Sequence, residues 1–268
     1  MKYIAAALCA LTSPALACGD AETPCEIDQG SYHINTPDNA EGPVPAVLFL
    51  HGAGGKGTGI LRMGGPMLER GYAVIGPNGM DRPGRFGTGW SFHPDRPQQR
   101  DEIEFIRAVI DDAVENHGID RDRILLGGFS IGGSMASYLA CDAPDVARAY
   151  APVAGSFWRP HPAMDSCEGP VDLLHTHGWR DKTVPLEGRP LRNGVIHQGD
   201  VFQGMQIWRE TNNCAGMRAD TFETSGDFWR RKWETCENGS LEFVLHQGAH
   251  GIPKGWSTMA MDWFESLE

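Results

Sequence analysis

The chain has 268 residues, of which 41% are hydrophobic and 22% charged, and its formal net charge is −12. That length and apolar content suffice for one large core. The acidic balance argues against a nucleic-acid partner, which would need a basic face, and otherwise signals solubility.

The first 17 residues, MKYIAAALCALTSPALA, combine Lys2, an apolar run from Tyr3 to Leu11, and small residues at Ala15 and Ala17. Charge, short apolar stretch and small residues in that order predict an export leader cut after Ala17. The stretch is too short to span a bilayer, and no later run is apolar enough to do so. Residues 18–268 are expected to form a single domain, secreted or periplasmic. A lipid-modified Cys18 is the competing reading, but Ala15 is atypical for such a signal and an odd thiol would be left. Of seven cysteines, Cys9 leaves with the leader. The remaining six suggest three disulfides in an oxidising compartment. Pairing between sequence neighbours is expected: Cys18 with Cys25, Cys141 with Cys167, Cys214 with Cys236.

Beyond the leader, short Val/Ile/Leu-rich runs alternate with helical patterns. Strands are predicted at 46–52, 72–78, 123–129, 149–155, 171–178 and 241–248, and helices at 57–70, 101–117, 132–141, 200–212 and 256–267. Near-continuous apolar strands have both faces covered, as in a parallel sheet. Helix 101–117 places Ile103, Ile106, Ile110 and Val114 on one stripe. The fold class is therefore α/β, with a mostly parallel central sheet and helices on both faces.

The segment GGFSIGG (127–133) lies between a predicted strand and a predicted helix. In that context Gly128-x-Ser130-x-Gly132 reads as a nucleophile elbow, with glycines relieving crowding around a strained serine. A nucleophilic serine needs a histidine base and a carboxylate to orient it. Asp181 follows the strand VDLLHTHG and His250 follows the strand LEFVLHQG, each in a loop past a strand end. The order Ser130, Asp181, His250 is that of the α/β-hydrolases. Backbone amides of Ala53, in the His51-Gly52-Ala53-Gly54-Gly55 turn, and of Ile131 are the expected oxyanion donors, with Gly54 as the alternative for the first. Lys56 does not make this turn a phosphate loop, because Gly57 stands where Ser or Thr is required.

Other residues carry weaker signals. His175 and His177 fall on one face of a strand, but the chain's histidines are scattered and no metal-binding pattern occurs, so no metal is expected. Trp90 and Trp158 fall in loops and are expected to line the substrate pocket. Trp208, Trp229 and Trp233 are expected to pack the region between Cys214 and Cys236.

From about Gly30 to its end the chain resembles the α/β-hydrolase family that groups LpqC-type polyhydroxybutyrate depolymerases with feruloyl esterases. The resemblance rests on AVLFLHGAGG, VIGPNGM, IDRDRILLGGFSIGGSMA, the His177–Pro185 stretch (H-G-x-x-D-x-x-V-P), WRETNNC, and Gly248-x-His250-x-x-Pro253. It implies the same three residues for catalysis and no cofactor. It departs from the family at Ile131, where Ala or Asn is common, and it lacks a linker and polymer-binding module. These features lead to an expected serine carboxylesterase acting through an acyl-enzyme on feruloyl-type esters or soluble 3-hydroxybutyrate oligomers. An acyltransferase or serine peptidase on the same triad, or a catalytically silent carbohydrate-binding relative, are the rival readings.

Overall fold

The computed structural model describes residues 18–38, 40–82, 87–93 and 96–267; the expected leader, residues 1–17, lies outside them. Among the described residues ten strands share one sheet. In chain order they are β1 (Cys25–Ile27), β2 (Gly30–Asn35), β3 (Val44–Leu50), β4 (Ala73–Pro77), β5 (Ile119–Phe129), β6 (Ala149–Val153), β7 (Leu173–Gly178), β8 (Thr221–Ser225), β9 (Phe228–Trp233) and β10 (Leu241–His246). Across the sheet their order is β1-β2-β4-β3-β5-β6-β7-β10-β9-β8. The central strands from β4 to β10 run parallel. Antiparallel pairings complete both edges.

Among the described residues six α-helices cover the faces: α1 (Thr58–Met63), α2 (Gly65–Glu69), α3 (Glu102–His117), α4 (Ile131–Asp142), α5 (Val201–Thr211) and α6 (Trp256–Glu265). Strand β3 shows how the two cores arise. Ala46, Leu48 and Leu50 pack with residues of α3, α4 and α5. Val47 and Phe49 point the other way, into the core formed with α1, α2 and α6. Alternate side chains of one strand thus serve two layers, which is why the sequence run is apolar throughout.

The structure corrects the sequence reading in several places. The expected helix 57–70 is broken at Gly64, where a Cβ would meet the Val74 side chain at 2.9 Å. Pro66, which lacks an N–H, then falls in the first turn of α2, where none is needed. On α3 the buried stripe is Phe105, Ile106, Val109, Ile110 and Ala113, and the expected Ile103 and Val114 only flank it. Asp101 caps this helix through the Ile103 and Glu104 amides, and Gly118 ends it in the left-handed region. The edge strands β1, β2, β8 and β9 were not expected: β8 is exposed along its whole length, so it carries no apolar run. Trp229 is exposed and meets Trp179 edge-on at 6.4 Å rather than packing inside, whereas Trp208 and Trp233 are buried.

The disulfides join Cys18 to Cys25, Cys141 to Cys167 and Cys214 to Cys236, the neighbour pairing expected from sequence. The second ties the end of α4 to the segment leading into β7, across a separation of 26 residues. Chain-entropy arguments put the stabilisation from closing such a loop at about 3.5 kcal/mol. Replacing both Cys141 and Cys167 by serine should lower the unfolding free energy by roughly that amount in urea titrations, with the α/β circular-dichroism signature retained.

Candidate active site

Strand β5 ends at Phe129 and helix α4 begins at Ile131, so Ser130 occupies the turn between them. Its φ of 58° and ψ of −120° lie in a region that side-chain-bearing residues rarely adopt. The glycines around it exist because backbones meet there. A Cβ on Gly128 would overlap the Gly132 carbonyl, and a Cβ on Gly132 would overlap the carbonyl oxygen of Leu50 at the end of β3. The turn therefore wedges between two neighbouring strands and the first turn of α4, holding the Ser130 hydroxyl at the strand ends.

Asp181 follows β7 and His250 follows β10, and the structure brings both to Ser130. The Ser130 hydroxyl donates to His250 Nε2 at 3.0 Å, and His250 Nδ1–H donates to Asp181 Oδ2 at 2.7 Å. The His250 ring rests on Phe129, with centroids 4.8 Å apart. The other Asp181 oxygen accepts the amides of Thr183 and Val184, both at 2.8 Å. Burial alone would raise the Asp181 pKa; the His250 hydrogen bond and the two amides outweigh it and hold the carboxyl below its ordinary value. An ionised Asp181 fixes the proton on Nδ1 and leaves Nε2 free to accept from serine.

A pair of imidazoles stands behind the carboxylate, and the sequence reading gave them no such role. The rings of His175 and His177 stack 5.4 Å apart on one face of β7. His177 Nε2–H donates to the Val184 carbonyl at 2.8 Å and lies 3.6 Å from Asp181 Oδ2. Its Nδ1 then accepts from His175 Nε2–H at 3.2 Å. One backbone carbonyl thus sets both tautomers, and the chain steadies the loop that carries Asp181. The spacing His-x-His followed by Asp four residues after the second histidine was the available sequence signal.

The glycine turn after β3 is braced in a similar way. His51 Nδ1–H donates to Gly52 O at 2.8 Å, while its Nε2 accepts the Gly79 amide at 2.9 Å. Trp90 lies against His51, and its indole N–H donates to the His51 carbonyl at 2.9 Å. The Gly54 amide is held by the Thr88 carbonyl at 2.9 Å, so it is not available to a ligand. Among the described residues no hydrogen bond takes the Ala53 or Ile131 amide.

Trp90, Trp158 and Ile131 border one cleft of about 610 Å³, together with Phe92. Trp158 is fixed there: its indole N–H donates to Ser134 Oγ at 3.3 Å and its backbone N–H to the Tyr138 hydroxyl at 3.0 Å. Trp90 therefore does two things, walling the cleft and supporting the glycine turn. Among the described residues, potential metal-ligand atoms converge at Cys18, Cys25 and His117, and there both sulfurs are joined in a disulfide.

Burial lowers the pKa of His175, and the neighbouring His177 adds to the effect. Burial also lowers that of His177, against the opposing influence of the Val184 carbonyl and the Asp181 charge. Both are neutral in the fold but would take up protons in the unfolded chain below about pH 6.5. Their contribution to stability is complete above that pH and is lost as pH falls. Asp181 has the same sign, but its loss begins only below about pH 3.9. The urea midpoint is expected to fall between pH 7 and pH 5, and His175→Leu, whatever its absolute stability, should show a shallower fall over that window.

The comparisons with known proteins agree with this architecture. The phospholipase/carboxylesterase family model matches residues 32–197. The chain is 25% identical over 254 residues to feruloyl esterase C of Emericella nidulans, covering 88% of this chain and 83% of that one. It spans under half the length of two further relatives, from Nocardia uniformis subsp. tsuyamanensis (32% identical over 148 residues) and Piromyces equi (29% over 190). Among solved structures, the acetyl xylan esterase from Aspergillus awamori superposes with a TM-score of 0.65 at 15% identity, over 88% of this chain and 93% of that chain. The Bacillus cereus carboxylesterase does so at 0.58 and 14% identity, over 88% and 94%. Those two likenesses are of fold. With more than half of its length matched by the family model, the chain belongs to the phospholipase/carboxylesterase family, carboxylic ester hydrolases built on the α/β-hydrolase fold.

Proposed function

We propose that this chain is an exported serine carboxylesterase in which Ser130 is the nucleophile, His250 the general base and acid, and Asp181 the group that orients His250. The observation that carries this reading is the hydrogen-bonded line from Ser130 through His250 to Asp181, with the serine in a strained turn at the strand ends. Ser130 Oγ attacks the ester carbonyl as His250 Nε2 takes its proton; the proton then passes to the departing alcohol, and water releases the acyl group by the same route. The Ala53 and Ile131 amides receive the oxyanion, a role supported by their lack of a described partner and by the engagement of Gly54 with Thr88. Export as one catalytic unit from residue 18 onward is supported by the leader-like sequence and the three disulfides.

The substrates are esters with an aromatic acyl group of the feruloyl type or short 3-hydroxybutyrate oligomers. The aromatic cleft walls formed by Trp90, Phe92 and Trp158 support the first, as does the similarity to a feruloyl esterase. Ser130→Ala should lower kcat on any accepted ester by on the order of 10⁴ to 10⁶ and abolish labelling by a fluorophosphonate. Undiminished turnover in that variant would sink the assignment. Comparing kcat/KM for methyl ferulate and for a hydroxybutyrate trimer then selects the substrate type. Product analysis in the presence of an added alcohol separates hydrolysis from acyl transfer.

A further inference from the structure

The described residues that line the cleft beside Ile131 carry the opposite charge to the chain as a whole. The chain carries −12 overall, yet Arg82, Arg96, Arg159 and Arg192 border the cleft, and among the described residues no aspartate or glutamate does. The arginine–carboxylate pairs found among the described residues do not involve Arg96, Arg159 or Arg192, while Arg82 has partners of its own, among them the Gly87 carbonyl. A small antiparallel ribbon holds two of these cations in place. Arg159 sits opposite His197 in the pairing of Trp158–Arg159 with Ile196–Gln198. Arg192 begins the tight connection between Pro190–Leu191 and Ile196–Gln198, with φ at 50°. A side-chain-bearing residue in that left-handed region is uncommon, and here it carries a guanidinium at the cleft mouth.

An acidic surface repels anions at long range, and cations grouped at one mouth reverse the field only within a Debye length of about 10 Å. Such an arrangement favours a ligand whose negative charge enters this cleft. Guanidinium forks match carboxylate oxygens in geometry as well as charge. The aromatic wall of the same cleft suits an apolar body between that charge and the ester carbonyl.

We propose that the cleft receives a carboxylate carried by the ester substrate, on its acyl or its alcohol limb, so that half-esters of dicarboxylic acids and acid-terminated hydroxyacyl oligomers are preferred over neutral esters. This rests on the ester-hydrolase reading above. Of the two substrate types named there, the free hydroxybutyrate oligomer ends in a carboxylate and methyl ferulate does not.

The test compares carboxylates with carboxamides of the same shape. On the acyl side the pair is the mono-4-nitrophenyl ester of adipic acid and the 4-nitrophenyl ester of adipamic acid. On the alcohol side it is the butyrate esters of 4-hydroxybenzoate and 4-hydroxybenzamide. For one limb the acid should exceed the amide in kcat/KM by about tenfold or more at low salt, the size expected when two or three partly exposed arginines act together. The ratio should fall toward one as ionic strength rises, and again in the Arg159→Gln/Arg192→Gln double variant. The Arg107→Gln/Arg121→Gln double variant removes the same charge outside the cleft, at residues paired with Asp145 and Asp111, and should leave the ratio unchanged. Equal rates for acid and amide on both limbs, or a preference that survives the double variant, would overturn the carboxylate site while leaving the esterase intact. Failure to hydrolyse any of the four esters would overturn the esterase reading and this inference with it.

Discussion

The backbone of Gly132 lies so close to the Leu50 carbonyl that a Cβ there would overlap it, and much of the site's geometry follows from that approach. It brings the first turn of α4 against the end of β3, so the Ile131 amide and the glycine turn after β3 come to the same place. It also forces Ser130 into its unusual backbone conformation, because the chain must reverse from β5 into α4 within one residue. Strain at this turn persists only because the surrounding parallel strands determine it from both sides. The sheet is in this sense the support, and the elbow is where its rigidity is used.

Support continues outward from the Ser130, His250 and Asp181 side chains. Asp181 is held by two amides of its own loop, and that loop is fixed in turn by the stacked His175 and His177 through the Val184 carbonyl. On the other side, Trp90 and His51 brace the glycine turn. A further link passes below it: the buried Arg100–Glu102 pair receives the Ser91 amide and lies over the Phe105 ring. A buried ion pair is costly to desolvate and weak evidence for stability. Its value here is directional, since it fixes where the Trp90 segment runs across the cleft. Polar groups in the interior therefore serve to orient loops, while the two apolar cores supply the bulk of the stabilisation.

Charge is distributed with a similar division. The chain is net negative, at −12, and the arginines bordering the cleft oppose that charge locally. Because screened fields are short-ranged, the two can coexist on one molecule without cancelling at the cleft.

The sequence by itself determined the class of fold and the central strands, and it singled out the serine, aspartate and histidine that the fold brings into one hydrogen-bonded line. Apolar runs of β-length report burial on both faces, and the glycines around Ser130 report a close approach whatever lies opposite them. The neighbour pairing of the cysteines was also legible, because each pair is close along the chain. Edge strands such as β8 were not, since exposure removes the apolar run by which a strand is read. Nor was the break at Gly64 read, although Gly64, Gly65 and Pro66 were its local signal. The role of His175 and His177 required knowing that their shared strand face points at the Asp181 loop. The cationic cleft was hidden for the same reason: Arg82, Arg96, Arg159 and Arg192 are spread over more than one hundred positions, and only the folded chain gathers them at one cleft. Local pattern records what each residue needs from its surroundings, but which residues supply it is decided by the tertiary structure.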